Sequence, residues 1–257
     1  MEVTWLDNNS WIIEIGKKTI LLDPWLVDSL VFANLPWLFE GKRNQPVAIP
    51  ESVDLILLSQ GLEDHAHTPT LKQLDRSIPV VASPNAGKVV QELGYSQINT
   101  LEHGQSFTLA NAVEIKAVPG SPIGPTLKEN GYILKDLITN QTLYYEPHGN
   151  HDPEIKKFAP IDVVITPVIN LALPLVGPII KGQASTLQLS QWLQPRVVLP
   201  TADAQETSYQ GLIVSLLSAE GSVDKLQEML GGNGLKTKVI QPKPKQAINL
   251  TNLLVHQ

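Results

Sequence analysis

Residues 59–67 read SQGLEDHAH, and Glu63, Asp64, His65 and His67 put carboxylates and imidazoles into one short turn. Those two side-chain types together hold zinc or move a proton near neutral pH. The turn follows an apolar run, VDLILL, and precedes the helix-like TPTLKQLD. Strand, turn and helix in that order is a common setting for the ligands of metal hydrolases. A second concentration, HGNHD at residues 148–152, comes just after Glu146 and is the densest group of ligand-type residues in the chain. Each cluster also has a purely structural reading. Asp64 could cap a helix that begins near Thr68, and Asp152 could cap one whose first residue is Pro153. The stretch GSPIG, residues 120–124, has Pro122 where a nucleophile elbow needs serine, so it reads as a loop.

Short strand-like runs would position these clusters. The first half contains VTWL, SWIIEI, KTILLD, VDLILLS, IPVVAS, INTL, QSFTL and AVEIKAVP, separated by Gly, Asn and Asp turns. Helical patterns fall between them at 68–74 and 85–93, the second closed by Gly94. The second half adds GYILKDL, QTLYYEP, DVVITPV and RVVLPT, with helices expected at 184–192, 206–219 and 223–230. The GKK and NQ turns are read as hairpin connections. Strand-rich halves that each carry helices imply two sheets face to face with helices outside, in one domain spanning residues 1–257.

Composition narrows the function classes. A chain of 257 residues can bury a substantial core, and 42% hydrophobic with 17% charged residues describes a folded globular protein. The net charge of −6, with no basic cluster, gives no electrostatic reason to bind nucleic acid. With no cysteine, disulfides, thiolate ligands and a cysteine nucleophile are excluded, which is compatible with a cytoplasmic location. The opening MEVTWLDNN is acidic and polar, unlike a signal peptide. The long apolar stretch 163–182 is broken by Pro167, Pro174 and Pro178, so it reads as a strand and an apolar loop rather than a membrane helix.

The run VTWLDNNSWIIEIGKKTILLDPWL followed by VDLILLSQGLEDHAH resembles the metallo-β-lactamase superfamily. The branch most similar is that of the ascorbate-phosphate lactonases and N-acyl phospholipid phospholipases D. That family opens with a Trp-Leu-Gly-His-like strand and a Leu-Asp-Pro hairpin, then places His-x-His-x-Asp-His after an apolar strand. The resemblance runs in order over nearly the whole chain. It implies an α/β (α+β) fold, a four-layer αββα sandwich.

The same resemblance implies how the site has changed. The first two ligand histidines fall on Gln60 and Leu62, whereas Asp64 and His65 are retained. The family's next histidine falls near Ser121 or Pro122, the metal-bridging aspartate on His148, and the last histidine on Ala202 beside Asp203. The opening histidine-like position is Asn8. The half built from three histidines is therefore lost, and Asp64, His65 and His148 remain as ligands for one divalent ion. Three protein ligands with one open position suit catalytic zinc, and two histidines with one carboxylate also suit manganese or iron(II). His67, Glu146, His151, Asp203 and Gln60 are candidates to complete or orient that set. Asp64 is the candidate catalytic residue, positioning or deprotonating the attacking water. His103 is expected to be structural and His256 solvated.

Two apolar stretches, residues 23–39 and 170–180, read as proline-broken loops. In the family the first lies beside the active-site mouth. Ordinary core with a homo-oligomer interface is one reading; a small-molecule or lipid-like substrate, or a peripheral membrane contact, is the other. The leading function is hydrolysis of an ester, lactone, amide or phosphodiester bond. The alternatives are an inactive member binding a ligand or partner through the same cleft, and a structural subunit.

Overall fold

The computed structural model describes residues 1–123 and 127–254, so His256 and Gly124 lie outside it. Among these residues two seven-stranded sheets dominate. In spatial order the first runs Ala247–Asn249, Glu2–Trp5, Trp11–Ile15, Lys18–Leu22, Leu55–Leu58, Val80–Ala82, Ile98–Thr100. The second runs Lys238–Val239, Val197–Thr201, Val163–Pro167, Thr142–Tyr145, Leu127–Asp136, Val113–Ile123, Ser106–Leu109. Each sheet is antiparallel on one side and parallel on the other. The parallel strands Leu55–Leu58, Val163–Pro167 and Val197–Thr201 are buried at every residue. This follows from their near-continuous Val, Ile and Leu content and from cover on both faces.

Alternation along the strands divides the apolar residues among three cores. Trp5, Trp11, Ile13, Leu57, Ile115, Tyr132, Tyr145, Ile165 and Leu199 meet between the sheets. The opposite face of the first sheet, with Leu21, Ile56 and Leu58, packs on helices α1 (Thr68–Gln73) and α2 (Pro84–Glu92) through Leu71 and Val90. The outer face of the second sheet, with Val164 and Val198, packs on α3 (Gln183–Leu193) and α5 (Val223–Gly232) through Leu189, Leu193, Leu226 and Leu230. The result is the expected αββα layering. Helix α2 starts one residue before the expected 85, with Ser83 accepting from Ala86 N ahead of Pro84; the expected Asp152 start is present, Asp152 accepting from Glu154 N ahead of Pro153, although that element is a 3₁₀ turn.

Three local expectations are corrected. Residues 206–219 do not form one helix: Thr207–Gln210 is a strand, α4 spans only Leu212–Leu216, and Ser218–Glu220 is a strand again. Tyr209 and its neighbours pair antiparallel with Glu40–Arg43, and Gly211 at φ 115° breaks the chain direction before a helix can start. The stretch 170–180 is a β-hairpin, Asn170–Leu173 with Gly177–Ile180, whose third partner is Ser218–Glu220. Gly120 to Ile123 lie within the strand Val113–Ile123 rather than in a loop. Pairing with strands distant in sequence overrode the local pattern at 207–210 and 218–220, whereas Pro122 and Ile123 pair with the nearby Lys128 and Leu127. No helix among the described residues is long and apolar enough to cross a membrane.

Candidate metal centre

Ligands in open α/β sheets sit beyond the carboxyl ends of the parallel strands. Asp23, Ser59, Glu146 and Ala202 all lie there, one residue past strands Lys18–Leu22, Leu55–Leu58, Thr142–Tyr145 and Val197–Thr201. The centre is organised around Asp23, which is fully buried. Its Oδ1 accepts from Ser59 N at 2.7 Å, and its Oδ2 from Ser59 Oγ at 2.5 Å and Tyr145 OH at 2.7 Å. His65 Nδ1 lies 2.7 Å from the same Oδ2. Burial and the Asp23 charge push the Tyr145 phenol well above its ordinary range, so it stays a donor.

With Nδ1 held by Asp23, His65 turns Nε2 to Asp64, 3.2 Å from Oδ2. That separation is within ion-pair reach but not aligned as a hydrogen bond, and both His65 Nε2 and Asp64 Oδ1 are buried without a hydrogen-bond partner. Burial alone would lower the His65 pKa; the flanking Asp64 and Asp23 outweigh it and raise it to about 10. Burial would raise the Asp64 carboxyl, but His65 and then His148 hold it low. His65 and His148 rings lie 5.2 Å apart. Burial, then the His65 charge, brings His148 down to about 4, leaving it a neutral imidazole able to offer a lone pair.

Asp64, His65 and His148 each offer a ligand atom, and these atoms lie within 4.8 Å of one another. Two carboxylates around one imidazole favour a positive charge, carried by the His65 imidazolium in the absence of metal. A metal ion would take the place of the His65 Nε2 proton, and the buried Asp64 Oδ1 and His65 Nε2 have no other hydrogen-bond partner. The residues present therefore fit a metal ion. His65 would be the histidine whose outer nitrogen is fixed by a carboxylate, as in carboxylate–histidine–zinc arrangements.

The supporting residues divide into two groups. Gln60 Nε2 lies 2.7 Å from His148 Nδ1. Glu146 Oε2 accepts from His148 N at 3.2 Å and Asn150 N at 2.7 Å, which shapes the turn that presents His148. Burial raises Glu146 to about 7 against the lowering effect of those amides. Three other candidates fall outside the cluster. His67 is buried, with Nδ1 3.0 Å from Thr70 Oγ1 and Nε2 3.3 Å from Ser29 O, tying the loop after Trp25 to α1. His151 sits by Tyr144 OH at 3.2 Å and Thr166 Oγ1 at 3.4 Å, beneath the outer helices. Asp203 pairs its backbone with Asn8, and its Oδ1 accepts from Ala204 N. Asp64 does not cap α1; His67 holds that position.

Sequence reasoning missed Asp23 as the partner of His65, and missed Tyr209 as a strand residue. Asp23 was visible as the aspartate of the LLDP run, but nothing local shows that it meets His65. Tyr209 lay inside the misread helix; its hydroxyl donates to Asn8 Oδ1, and its ring continues a row with Phe39 at 5.5 Å and Phe32 at 4.9 Å from Phe39. Each apolar stretch, or the residue after it, is tied by a hydrogen bond to a segment that flanks the cluster. Ala33 N donates to Glu63 Oε1 at 3.2 Å, and Lys181 N donates to His148 O at 2.8 Å.

This fold, with aspartate and histidine grouped at the strand ends, is of the metallo-β-lactamase type. The family model for the β-lactamase superfamily domain matches residues 2–202, and the chain belongs to that family. A metal-dependent hydrolase from Paracoccus denitrificans is 27% identical over 143 residues, which span 52% of this chain and 58% of that protein. One from Korarchaeum cryptofilum is 24% identical over 259 residues, covering 97% of this chain and all of the other. The fold is shared with the isothiocyanate hydrolase from Delia radicum gut bacteria, at TM-score 0.69 and 18% identity over 97% and 99% of the two chains. A metallo hydrolase from Ignicoccus hospitalis superposes at TM-score 0.66 with 14% identity over 96% and 97%.

Proposed function

We propose that this protein is a metal-dependent hydrolase with one divalent ion, zinc by preference, held by Asp64, His65 and His148. The observation that carries this reading is the convergence of those three ligand atoms within 4.8 Å, beside unpartnered Asp64 Oδ1 and His65 Nε2. A single ion rather than two follows from Gln60, Leu62 and Ser121 at the positions of the three-histidine half. When bound, such an ion supplies Lewis acidity that polarises the scissile bond and acidifies water. Asp64 is the catalytic residue in this reading: the carboxylate oxygen that the ion leaves free would accept a hydrogen bond, and then the proton, from the attacking water. Asp23 and Tyr145 hold His65 rigid while this happens.

The substrate in this reading is an ester, lactone, amide or phosphodiester with an apolar portion. Trp37 is 64% and Val176 71% exposed, and Leu35, Leu175, Leu212 and Leu216 are exposed with them. Leu212 N bonds Trp37 O at 3.1 Å, and Ser218–Glu220, which follows α4, pairs with the hairpin whose turn carries Leu175 and Val176. Apolar exposure of this kind suits a lipophilic ligand.

The test is elemental analysis of tag-free protein combined with turnover of a panel of esters, lactones, amides and phosphodiesters. The expected result is about one equivalent of metal and activity that Asp64→Asn abolishes with the fold intact. Equal inactivity of wild type and Asp64→Asn with metal supplied would instead establish a binding protein, the reading favoured by the loss of the three-histidine half.

A further inference from the structure

The contact between Gln60 and His148 has a definite consequence for how an ion can be held. Ser59 donates twice to Asp23, which locks the end of strand Leu55–Leu58 and aims the next side chain, Gln60, at the centre. Gln60 is 1% exposed. Its Nε2 lies 2.7 Å from His148 Nδ1, and its Oε1 is buried without a hydrogen-bond partner.

A neutral imidazole has one N–H and one lone pair. If the Gln60 amide donates to Nδ1, that lone pair is spent and the proton resides on Nε2. His148 then has no nitrogen left for a metal. A half-turn of the carboxamide exchanges its oxygen and nitrogen in nearly the same space. Oε1 then accepts from Nδ1–H, the unpartnered oxygen gains its donor, and the Nε2 lone pair is left free.

We propose that Gln60 is the positioning residue of His148: its amide oxygen fixes the Nδ1–H tautomer whenever the centre is loaded. Gln60 then stands to His148 as Asp23 stands to His65, and each imidazole is anchored at Nδ1 by an oxygen acceptor. A position that the family uses for a metal-binding histidine has become, in this chain, the support for a different one. The inference rests on the proposed metal centre.

The test compares zinc affinity of wild type, Gln60→Met and Gln60→Glu by competition with a chromophoric chelator, starting from metal-free protein. Loss of an outer hydrogen-bond partner typically weakens metal binding 10- to 100-fold, and that loss is expected for Gln60→Met. Gln60→Glu keeps an oxygen acceptor and is expected to bind zinc at least as tightly as wild type. Independently of any variant, ¹H–¹⁵N spectra of the zinc-loaded wild type should show the His148 proton on Nδ1. Zinc binding by Gln60→Met within twofold of wild type, or a proton found on Nε2, would overturn the assignment and leave the metal centre standing. A wild type that takes up no divalent ion would remove the metal centre and this assignment together.

Discussion

Asp23 Oδ2 and His65 Nδ1 lie 2.7 Å apart in a region where neither side chain reaches solvent. Four donors converge on the Asp23 carboxylate, from Ser59 N, Ser59 Oγ, Tyr145 and His65. Asp23→Asn places an NH₂ group among them and leaves at least one donor facing another. Breaking a buried pair of this kind costs about 3 kcal/mol, and freeing the His65 ring should weaken zinc binding about 10- to 100-fold. Urea melts of the metal-free protein and chelator competition measure the two effects separately. Wild-type zinc affinity in Asp23→Asn would detach Asp23 from the centre.

The turn that carries His148 depends on Gly149. Its φ is 73°, and a Cβ there would stand 1.7 Å from Lys181 O, a backbone atom that cannot step aside. Gly149→Ala should therefore displace either the His148 turn or the hairpin beyond Lys181. The expected loss is about 3 kcal/mol of stability from overpacking and left-handed backbone together. The melt of Gly149→Ala against Gly104→Ala, where a Cβ meets nothing within 4 Å, separates the clash from the backbone effect.

Acid should destabilise the protein through its buried neutral histidines. Burial lowers His67 to about 4, and burial followed by the Lys181 charge lowers His151 to about 3, both from an ordinary 6.5. A folded pKa below the unfolded one means that the contribution is complete above pH 6.5 and is lost as pH falls toward those values. At ~1.4 kcal/mol per pKa unit, His151 alone should remove about 3 kcal/mol by pH 4. The drop in melting temperature from pH 7 to 4 should be smaller in His151→Gln than in wild type. An identical drop would assign the acid sensitivity elsewhere.

The apolar border should matter only to substrates long enough to reach it. Trp37→Ser with Leu212→Ser is expected to raise KM for a long-chain ester at least tenfold and to leave a short-chain ester unchanged, since burying one large apolar side chain contributes about 1.5–3 kcal/mol. Equal effects on both chain lengths would remove the case for an apolar substrate portion.

The sequence by itself determined the layers and most of the elements. Val, Ile and Leu runs mark the buried parallel strands, Asp152 marks a helical start, and the order of motifs announces the superfamily that the family match bears out. These signals are local, so they survive without knowledge of the fold. Asp64, His65 and His148 were also legible as ligand-type residues, because residue chemistry and order are enough to nominate them. What only the tertiary structure decided is which side chains meet across long separations. Asp23 reaches His65 from 42 residues away and Gln60 reaches His148 from 88. His67 and His151, equally plausible in the sequence, are drawn instead to Thr70 and Tyr144. The strands Thr207–Gln210 and Ser218–Glu220 exist because their partners lie at Glu40–Arg43 and Asn170–Leu173. Hydrogen-bond partners of buried groups are set by what packing brings within about 3 Å, and that proximity is a property of the folded chain rather than of any stretch of it.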